Sequence, residues 1–445
     1  MDMADQQFDC VVIGSGPGGY VAAIRAAQLG MKTAVVEKDV VGGRCLNYAC
    51  IPAKAVLRTA DVLTEVRGAG DFGISLNGTE PAIDFDAVMA RRARVIKTLT
   101  GGVSSLFKKN EITYIEGFGS LTAEGNVRVG DDELEASKAV VLASGSVKRP
   151  IPGVEFGGNV IGTEEAWALT ELPSSMVVIG AGASGTEIAS AYARLGTQVT
   201  LYEGLERVLP TEDADISKLA ERSFKKQGID VKTSTFYEGQ DADWVVIAAG
   251  RGPDIEGLGL DVAGVKLDDS GLVAVDGALR TNVAKVYAIG DLVAGPALAH
   301  KASDEGVIAV EDAAGLETHP ISYIDIPRAT FCTPNVASFG LTEQQARDAG
   351  HDVVVGKVQY GAVGAGTVYG DRTGLVKVVG DKKYGEMLGG HIVGAKATEL
   401  IQELVNAKVL EGGFPEVARM IHGHPTMSEA VMEAARAADG WLIHG

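Results

Sequence analysis

The sequence predicts an α/β protein with two copies of one nucleotide-binding unit and a C-terminal α+β domain. Three observations support this prediction. A strand–glycine loop–helix–strand pattern occurs twice, each copy is followed by a further apolar strand, and the pattern changes from about residue 322. At roughly 150 residues per domain, 445 residues correspond to about three domains. The chain is 46% hydrophobic and 22% charged, which excludes a disordered protein.

The first copy begins with an apolar strand at residues 8–14, which runs into a glycine-rich loop at residues 14–19. An alanine-rich helix is predicted over residues 20–29, and a second strand over residues 33–37. A short apolar strand, a glycine loop and a helix in this order are typical of a βαβ unit.

The second copy repeats this plan. It has a strand at residues 176–180, a glycine loop at residues 181–185 and a helix that ends at Leu195. A second strand at residues 198–201 then leads to Glu203. Two such copies indicate two binding units in one chain.

The spacing within the copies predicts the ligand. Glu37 follows Gly14 by 23 residues, and Glu203 follows Gly180 by the same number. Glycines at these positions allow backbone amides to approach a pyrophosphate at a helix N-terminus, and the carboxylate can accept hydrogen bonds from ribose hydroxyls. The alternative is that the glycines serve only helix–strand packing. We interpret the copies as two Rossmann-like units that bind two dinucleotides.

Other segments set the domain organisation. Apolar strands are predicted at residues 139–145, 244–250 and 286–291, and C-terminal strands at residues 374–379 and 387–393. The predicted domains are residues 1–147 and 271–321 for the first dinucleotide, residues 148–270 for the second, and residues 322–445 for the α+β domain.

Charge and composition exclude several classes of protein. The net charge of −19 disfavours nucleic acid and anionic membranes as partners. No apolar run reaches the roughly 18 residues that a membrane span needs. The N-terminal segment at residues 1–7 lacks the features of a signal peptide, and four cysteines do not make a secreted disulfide framework. We therefore predict a cytoplasmic protein.

Cys45 and Cys50 form a candidate redox pair. A purely structural disulfide between them would close a loop too short to restrict the unfolded chain much. No second Cys/His pair has zinc-ligand spacing, so no metal site is predicted. In a regular helix the two Cα atoms would be roughly 8.6 Å apart, beyond the roughly 7 Å that a disulfide tolerates. If the two cysteines pair, the backbone between them must be irregular. Gly42, Gly43 and Pro52 could supply that irregularity.

A second chemical cluster contains His422, His424, Thr426 and Glu429. Thr426 and Glu429 match a capping box before an apolar helix. Alternatively, one histidine acts as a base whose tautomer is held by the carboxylate. Sequence spacing does not choose between the two histidines.

These motifs resemble the flavoprotein disulfide reductases over essentially the whole chain. The segment Gly42–Lys54, with Cys45 and Cys50, is highly specific for that family. Residues 100–110, 298–302 and 433–444 favour its subfamily that oxidises dihydrolipoamide. The resemblance implies that the C-terminal domain is a dimerisation domain and that the protein is a homodimer.

The resemblance also implies two cofactors, FAD in the first unit and NAD in the second. Glu203 supports NAD over NADP because a carboxylate repels a 2′-phosphate, although Arg207 keeps NADP open. The residues expected to bind cofactors are Gly14, Ser15, Gly16, Pro17, Gly18, Glu37, Lys38, Gly43, Arg44, Lys54, Gly117, Ser144, Gly145, Ser146, Gly180, Gly182, Gly185, Glu187, Glu203, Gly250, Asp291 and Ala299.

The catalytic roles follow from the same resemblance. Cys45 is expected to exchange with the substrate and Cys50 to face the flavin, with His424 as the base and Glu429 as its orienting carboxylate. Lys54 and Glu187 are expected to form an ion pair near the flavin. The implied reaction oxidises protein-bound dihydrolipoamide and reduces NAD⁺ within a 2-oxoacid dehydrogenase or glycine-cleavage complex. The partners are then a lipoyl domain and the acyltransferase core.

Several positions depart from the family pattern. Arg44, Tyr48, Ala49 and Ala53 replace residues that are usually Thr, an apolar residue, Gly and Ser, and Ala183–Ser184 replaces a bulky pair beside the nicotinamide. The segment 231–243 is also shorter than usual, which predicts a trimmed NAD domain. These departures leave open a reductase for another disulfide. An assembly component of a multienzyme complex is the alternative from a different class.

Overall fold

The computed structural model describes residues 6–445, so Met1–Asp5, most of the segment behind the cytoplasmic prediction, lie outside the described residues. The strands are β1 (Gln6–Ile13), β2 (Thr33–Glu37), β3 (Thr113–Glu116), β4 (Gly119–Leu121), β5 (Val127–Val129), β6 (Asp132–Leu142), β7 (Ser146–Lys148), β8 (Val160–Gly162), β9 (Ser175–Ile179), β10 (Gln198–Tyr202), β11 (Asp230–Lys232), β12 (Trp244–Ile247), β13 (Arg251–Pro253), β14 (Val286–Ala288), β15 (Arg328–Thr330), β16 (Val336–Gly340), β17 (Val353–Gln359), β18 (Leu375–Asp381) and β19 (Glu386–Val393). The helices are α1 (Pro17–Gln28), α2 (Gly43–Asn47), α3 (Cys50–Arg67), α4 (Phe85–Lys109), α5 (Thr163–Ala166), α6 (Ala183–Leu195), α7 (Ala214–Lys226), α8 (Leu260–Ala263), α9 (Ala299–Ala313), α10 (Glu343–Asp348), α11 (Gly364–Val368), α12 (Ala397–Val409), α13 (Phe414–Arg419) and α14 (Ser428–Ala438).

The chain divides into two compact units. Unit 1 comprises the chain up to Ala55, Ala87–Pro150 and Gly250–Tyr323, and unit 2 comprises Val56–Asp86, Ile151–Ala249 and Ile324–Gly445. Within the described residues 6–445, no helix is both long and apolar enough to cross a membrane.

Unit 1 is built on a sheet in the order β3-β2-β1-β6-β5-β4, with β14 paired to β6. Strands β1, β2, β3, β6 and β14 are parallel, and β4 and β5 add an antiparallel edge. All five residues of β2 are buried. Continuous apolar runs are typical of parallel strands that are covered on both faces. Helix α1 begins at Pro17, three residues earlier than predicted, because proline suits the first helical position.

Unit 2 contains the second parallel sheet, in the order β11-β10-β9-β12-β8. Its strands β9 and β10 match the predicted strands to within one residue, and α6 ends at Leu195 as predicted. Helix α6 begins at Ala183, inside the predicted glycine loop. No strand lies between β11 and β12 in the described chain. This agrees with the shortened segment seen in the sequence.

The C-terminal part of unit 2 holds an antiparallel sheet in the order β15-β16-β19-β18-β17. Helices α12, α13 and α14 pack with it around one buried apolar cluster. The two parallel nucleotide-binding sheets and this α+β domain confirm the predicted fold class.

Candidate active site

The first glycine loop has a geometry that only glycine allows. Gly14 has φ +102°, and a Cβ on it would lie 2.4 Å from the carbonyl oxygen of Ala143. A Cβ on Gly19 would lie 1.9 Å from the carbonyl oxygen of Gly14. At Gly16 a Cβ would meet nothing within 4 Å, so the backbone there is open to a ligand. Gly19 was not among the predicted binding residues, although it is the third glycine of the motif.

The acidic residue that ends β2 is tied directly to this loop. Glu37 Oε2 accepts the backbone N–H of Ser15 at 2.8 Å and its hydroxyl at 2.7 Å. The N–H of Asp39 donates to Glu37 Oε1 at 2.9 Å, and the N–H of Gly117 donates to the Glu37 carbonyl at 2.9 Å. The carboxylate is therefore held at the loop, where it can also accept ribose hydroxyls.

The second loop repeats these contacts in unit 2. Gly180 also has φ +102°, and a Cβ on Gly185 would lie 1.8 Å from the Gly180 carbonyl oxygen. Glu203 accepts the N–H of Ala181 at 2.8 Å and that of Leu205 at 2.9 Å. Ala181 has no hydroxyl to add, unlike Ser15. A Cβ on Gly182 would meet nothing within 4 Å, so this loop too can approach a pyrophosphate.

Two glycines that were predicted to bind a cofactor lie where the backbone packs closely against a neighbouring element. A Cβ on Gly18 would lie 2.9 Å from the Ala302 carbonyl oxygen, so Gly18 lets α1 and α9 approach closely. A Cβ on Gly43 would lie 2.8 Å from Gly16 Cα. Gly43 therefore lets α2 approach the first loop.

Further predicted residues meet around the β7–β13 pair. The hydroxyl of Ser146 donates to Asp291, and the hydroxyl of Ser144 donates to the Asp254 carbonyl at 2.7 Å. Lys38 forms an ion pair with Asp254 at 2.6 Å. The guanidinium of Arg251 donates to the Ser146 carbonyl at 2.6 Å. Sequence analysis missed Arg251 and Asp254 because their link to residues 144–148 depends on a two-stranded antiparallel pairing.

Other predicted positions lie at element ends. Pro17 and Ala299 are the first residues of α1 and α9. The carbonyl of Gly250 accepts the Arg149 N–H at 2.7 Å, and the carbonyl of Gly145 accepts the Asp254 N–H at 2.9 Å.

The two cysteines lie on either side of a helix break. Helix α2 ends at Asn47 and α3 begins at Cys50, and the N–H groups of Tyr48 and Ala49 both donate to the Arg44 carbonyl, at 2.8 and 3.0 Å. The backbone between Cys45 and Cys50 is thus irregular, as pairing requires. The break itself lies at Tyr48–Ala49. Gly42, with φ +91°, precedes α2, and Gly43, with φ +57°, is its first residue.

Cys45 and Cys50 are present as thiols that interact with each other. The hydrogen bond with Cys50, burial and the charge of a Cys50 thiolate raise the pKa of Cys45. The positive charges of Lys54 and Arg44 act in the opposite direction. Two thiols in contact next to two cations can exchange with a disulfide. Glu187, the predicted partner of Lys54, is buried in unit 2 and accepts the Phe331 N–H at 2.9 Å.

The structure distinguishes the two histidines. His422 is 6% exposed in its side chain, with Nε2 hydrogen-bonded to Glu403 and Nδ1 3.0 Å from the Met420 carbonyl oxygen. His424 is 74% exposed, and its Nδ1 lies 2.9 Å from Glu429 Oε1. A proton held on Nδ1 leaves Nε2 of His424 able to accept another.

Glu429 has both of the roles that the sequence left open. Its other oxygen accepts the Thr426 N–H at 2.9 Å, which is one half of a capping box. The Thr426 hydroxyl donates to the Gly423 carbonyl at 2.7 Å. Burial alone would raise the pKa of Glu429, but hydrogen bonds from His424 and Thr426 lower it. The carboxylate therefore stays charged beside His424.

Comparisons with known proteins agree with this geometry. Full-length relatives named dihydrolipoyl dehydrogenase include those of Bacillus subtilis, 40% identical over 98% of this chain and 99% of the relative, and Mycobacterium tuberculosis, 43% identical over the same shares. Among solved structures, LpdA from Mycobacterium tuberculosis has a TM-score of 0.88 at 25% identity, covering 97% of this chain and 99% of that one. The flavoprotein disulfide reductase RclA from Escherichia coli has a TM-score of 0.84 at 26% identity, covering 96% and 99%.

Two family models cover most of the chain. Residues 8–306 match the pyridine nucleotide-disulphide oxidoreductases, and residues 326–435 match the dimerisation domain of the same proteins. These matches confirm the resemblance found in the sequence, the oxidoreductase class and the use of FAD and NAD. The dimerisation domain supports the predicted homodimer. The chain therefore belongs to the pyridine nucleotide-disulphide oxidoreductase family.

Proposed function

We propose that the chain is a dihydrolipoyl dehydrogenase, which oxidises protein-bound dihydrolipoamide to lipoamide and reduces NAD⁺ to NADH. The observation that carries the proposal is the thiol pair Cys45–Cys50 at a helix break beside a dinucleotide loop. Full-length relatives at 40–43% identity that carry this name support the substrate.

The first steps belong to the cysteines. In the oxidised enzyme a substrate thiolate attacks Sγ of Cys45, the bond between Cys45 and Cys50 breaks, and Cys50 leaves as a thiolate. The second substrate thiolate attacks the mixed disulfide and releases Cys45. The substrate has then lost two electrons, and the cysteine pair has gained them. FAD, when bound, would accept these electrons from the cysteine pair and pass them to NAD⁺ as hydride.

The base that removes the proton from the substrate thiol is His424, in the C-terminal domain. In the flavoprotein disulfide reductases that the sequence resembles, the segment with this histidine reaches the disulfide of the other subunit. Nε2 of the partner's His424 therefore takes the proton of the substrate thiol, and the partner's Glu429 holds the imidazole through Nδ1. The resulting imidazolium stabilises the thiolates. Because the base comes from the second subunit, the homodimer is obligatory.

The remaining assignments complete the proposal. The cofactor-binding residues named above hold FAD in residues 1–147 and 271–321 and NAD in residues 148–270, with residues 322–445 as the interface domain. Lys54 and Glu187 pair near the flavin. Glu203 favours NAD over NADP. The lipoyl domain and the acyltransferase core are the proposed partners, the latter because a charge of −19 suits a basic docking site. The proposed location is the cytoplasm.

An anaerobic titration tests the reaction. Dihydrolipoamide is added to the purified holoprotein, and NAD⁺ follows. We expect a long-wavelength thiolate–flavin absorbance that clears as NADH forms. If NADH produces that absorbance and dihydrolipoamide does not, the enzyme is a reductase of another disulfide. A folded protein that binds no flavin would instead support the role of an assembly component.

Serine variants test the two thiol roles. Cys45→Ser should lose dihydrolipoamide turnover but keep the thiolate–flavin absorbance at neutral pH, because Cys50 remains. Cys50→Ser should lose both. Cys332→Ala is the matched control, since Cys332 is a buried thiol elsewhere in the chain, and turnover should persist. An absorbance seen only in Cys50→Ser would reverse the two assignments.

A further inference from the structure

The backbone just before Asp291 is held by two buried side chains of opposite charge. Gly290 begins a short 3₁₀ turn after β14 and has φ +70°. Its N–H donates to Glu305 Oε2 at 2.7 Å, and its carbonyl accepts a hydrogen bond from Lys301 Nζ at 2.8 Å. Both backbone polar groups of Gly290 are thus bound by residues of α9.

Lys301 and Glu305 also form an ion pair with each other. Lys301 Nζ lies 3.2 Å from Glu305 Oε1, and the side chains are 1% and 0% exposed. Burial of two charges has a desolvation cost that their attraction seldom exceeds, so such a pair is weak evidence for stability. Its contacts instead determine the path of the chain through Gly290.

A third residue completes the arrangement. The hydroxyl of Tyr323 donates to Glu305 Oε1 at 2.6 Å, and the Lys301 ammonium lies 5.7 Å from the centre of the Tyr323 ring. Glu305 therefore accepts from a backbone amide, an ammonium and a phenol. This satisfied set leaves the carboxylate little freedom to move.

Asp291 is thereby held at both ends. Lys301 and Glu305 bind the backbone of the preceding residue, and the Ser146 hydroxyl binds the Asp291 carboxylate. We propose that Lys301, Glu305 and Tyr323 are positioning residues for FAD. By fixing the backbone next to Asp291, they hold its carboxylate at the position where it binds the side chain of the flavin. The inference rests on the proposed function, which counts Asp291 among the residues that hold FAD.

A neutral double variant separates positioning from folding. Lys301→Met/Glu305→Gln removes both charges together, so neither is left unpaired in the interior. We expect the apoprotein to fold with an urea midpoint near that of the wild type. Its Kd for FAD should rise by about tenfold, the change for weakening one charge-assisted hydrogen bond. Binding of NADH, measured by its fluorescence, should not change.

Two tyrosine variants supply a milder, matched comparison. Tyr323→Phe removes the hydroxyl that binds Glu305, whereas Tyr287→Phe removes one that donates to Asp312, near the far end of α9, at 2.8 Å. FAD should dissociate faster from the first variant than from the second.

Equal FAD affinity in the double variant and the wild type, or equal dissociation rates in the two tyrosine variants, would overturn the inference. Because FAD binding needs no substrate, a protein that binds FAD in this way but does not oxidise dihydrolipoamide would refute only the proposed function.

Discussion

Replacement of His424 by glutamine is expected to lower dihydrolipoamide turnover by roughly 10²–10⁴-fold, the usual contribution of a positioned acid–base group. The glutamine amide can donate a hydrogen bond to Glu429 but cannot take up a proton. His424 is largely exposed, so the variant should fold and retain FAD. Steady-state turnover with dihydrolipoamide and NAD⁺, together with the flavin content of the purified protein, measures both effects.

His422 supplies the matched control. Its ring is buried and bonded at both nitrogens, and the hydrogen bond with Glu403 raises its pKa. His422→Gln should therefore reduce stability more than turnover. Glu429→Gln should give an intermediate loss of turnover, because the imidazole keeps a hydrogen bond but loses the nearby negative charge. A loss in His422→Gln as large as in His424→Gln would show that the base has been assigned to the wrong histidine.

Replacement of Lys377 by methionine is expected to lower the free energy of unfolding by about 3–5 kcal/mol, as when one partner of a buried ion pair is removed. Lys377 lies on β18, is 2% exposed and contacts Asp213, Asp215 and Glu343, each at 2.8 Å. Asp213 is itself buried at the start of α7. Methionine would leave its carboxylate without the ammonium. Urea denaturation at neutral pH, compared with the wild type, measures the loss.

The loss should become smaller in acid. Burial would raise the pKa of both carboxyl groups. At Asp213 the hydrogen bond from Lys377, nearby positive charge and the Asp215 N–H together lower the pKa, and at Asp215 the hydrogen bonds and charges of Lys357 and Lys377 together lower it to about 2. The unfolded chain therefore binds protons first, and this stabilisation is present above pH 3.8 and lost as the pH falls toward 2. Once the carboxylates are protonated, wild type and variant should converge.

A neighbouring residue provides the control. Lys357 lies opposite Lys377 on β17, is 43% exposed and contacts Asp215 at 2.6 Å. Surface ion pairs contribute roughly 0–1 kcal/mol, so Lys357→Met should be nearly neutral. Equal losses in the two variants, or a loss in Lys377→Met that is no smaller at pH 2 than at neutral pH, would contradict the role assigned to burial.

His391, on the strand next to Lys377, gives the stability of the protein a second pH dependence. It pairs with Lys377 across β18 and β19 and is fully buried, and burial lowers its pKa to about 4. Its folded pKa is below the unfolded value of 6.5, so the wild type should lose stability as the pH falls from 6.5 toward 4.

The sequence alone was sufficient for the local features of this protein. The glycine loops, the acid 23 residues after each first glycine and the cysteine segment are contiguous or nearly so, because steric demands at a turn act on neighbouring residues. For this reason the order of strand, loop, helix and strand was predicted correctly in both copies. Helix geometry also showed that the backbone between Cys45 and Cys50 must be irregular if the two cysteines pair, and the structure has a helix break there.

Contacts between distant residues could not be predicted in that way. Asp213 meets Lys377 across 164 positions, and β7 pairs with β13. Which histidine is buried depends on Glu403, 19 residues before His422, and the anchoring of Gly290 depends on the side chains of α9. These contacts arise from strand register and helix packing, which depend on the burial of the whole chain. The sequence by itself therefore determined the family, the glycine loops and the cysteine segment, and the tertiary structure decided which polar groups face each other.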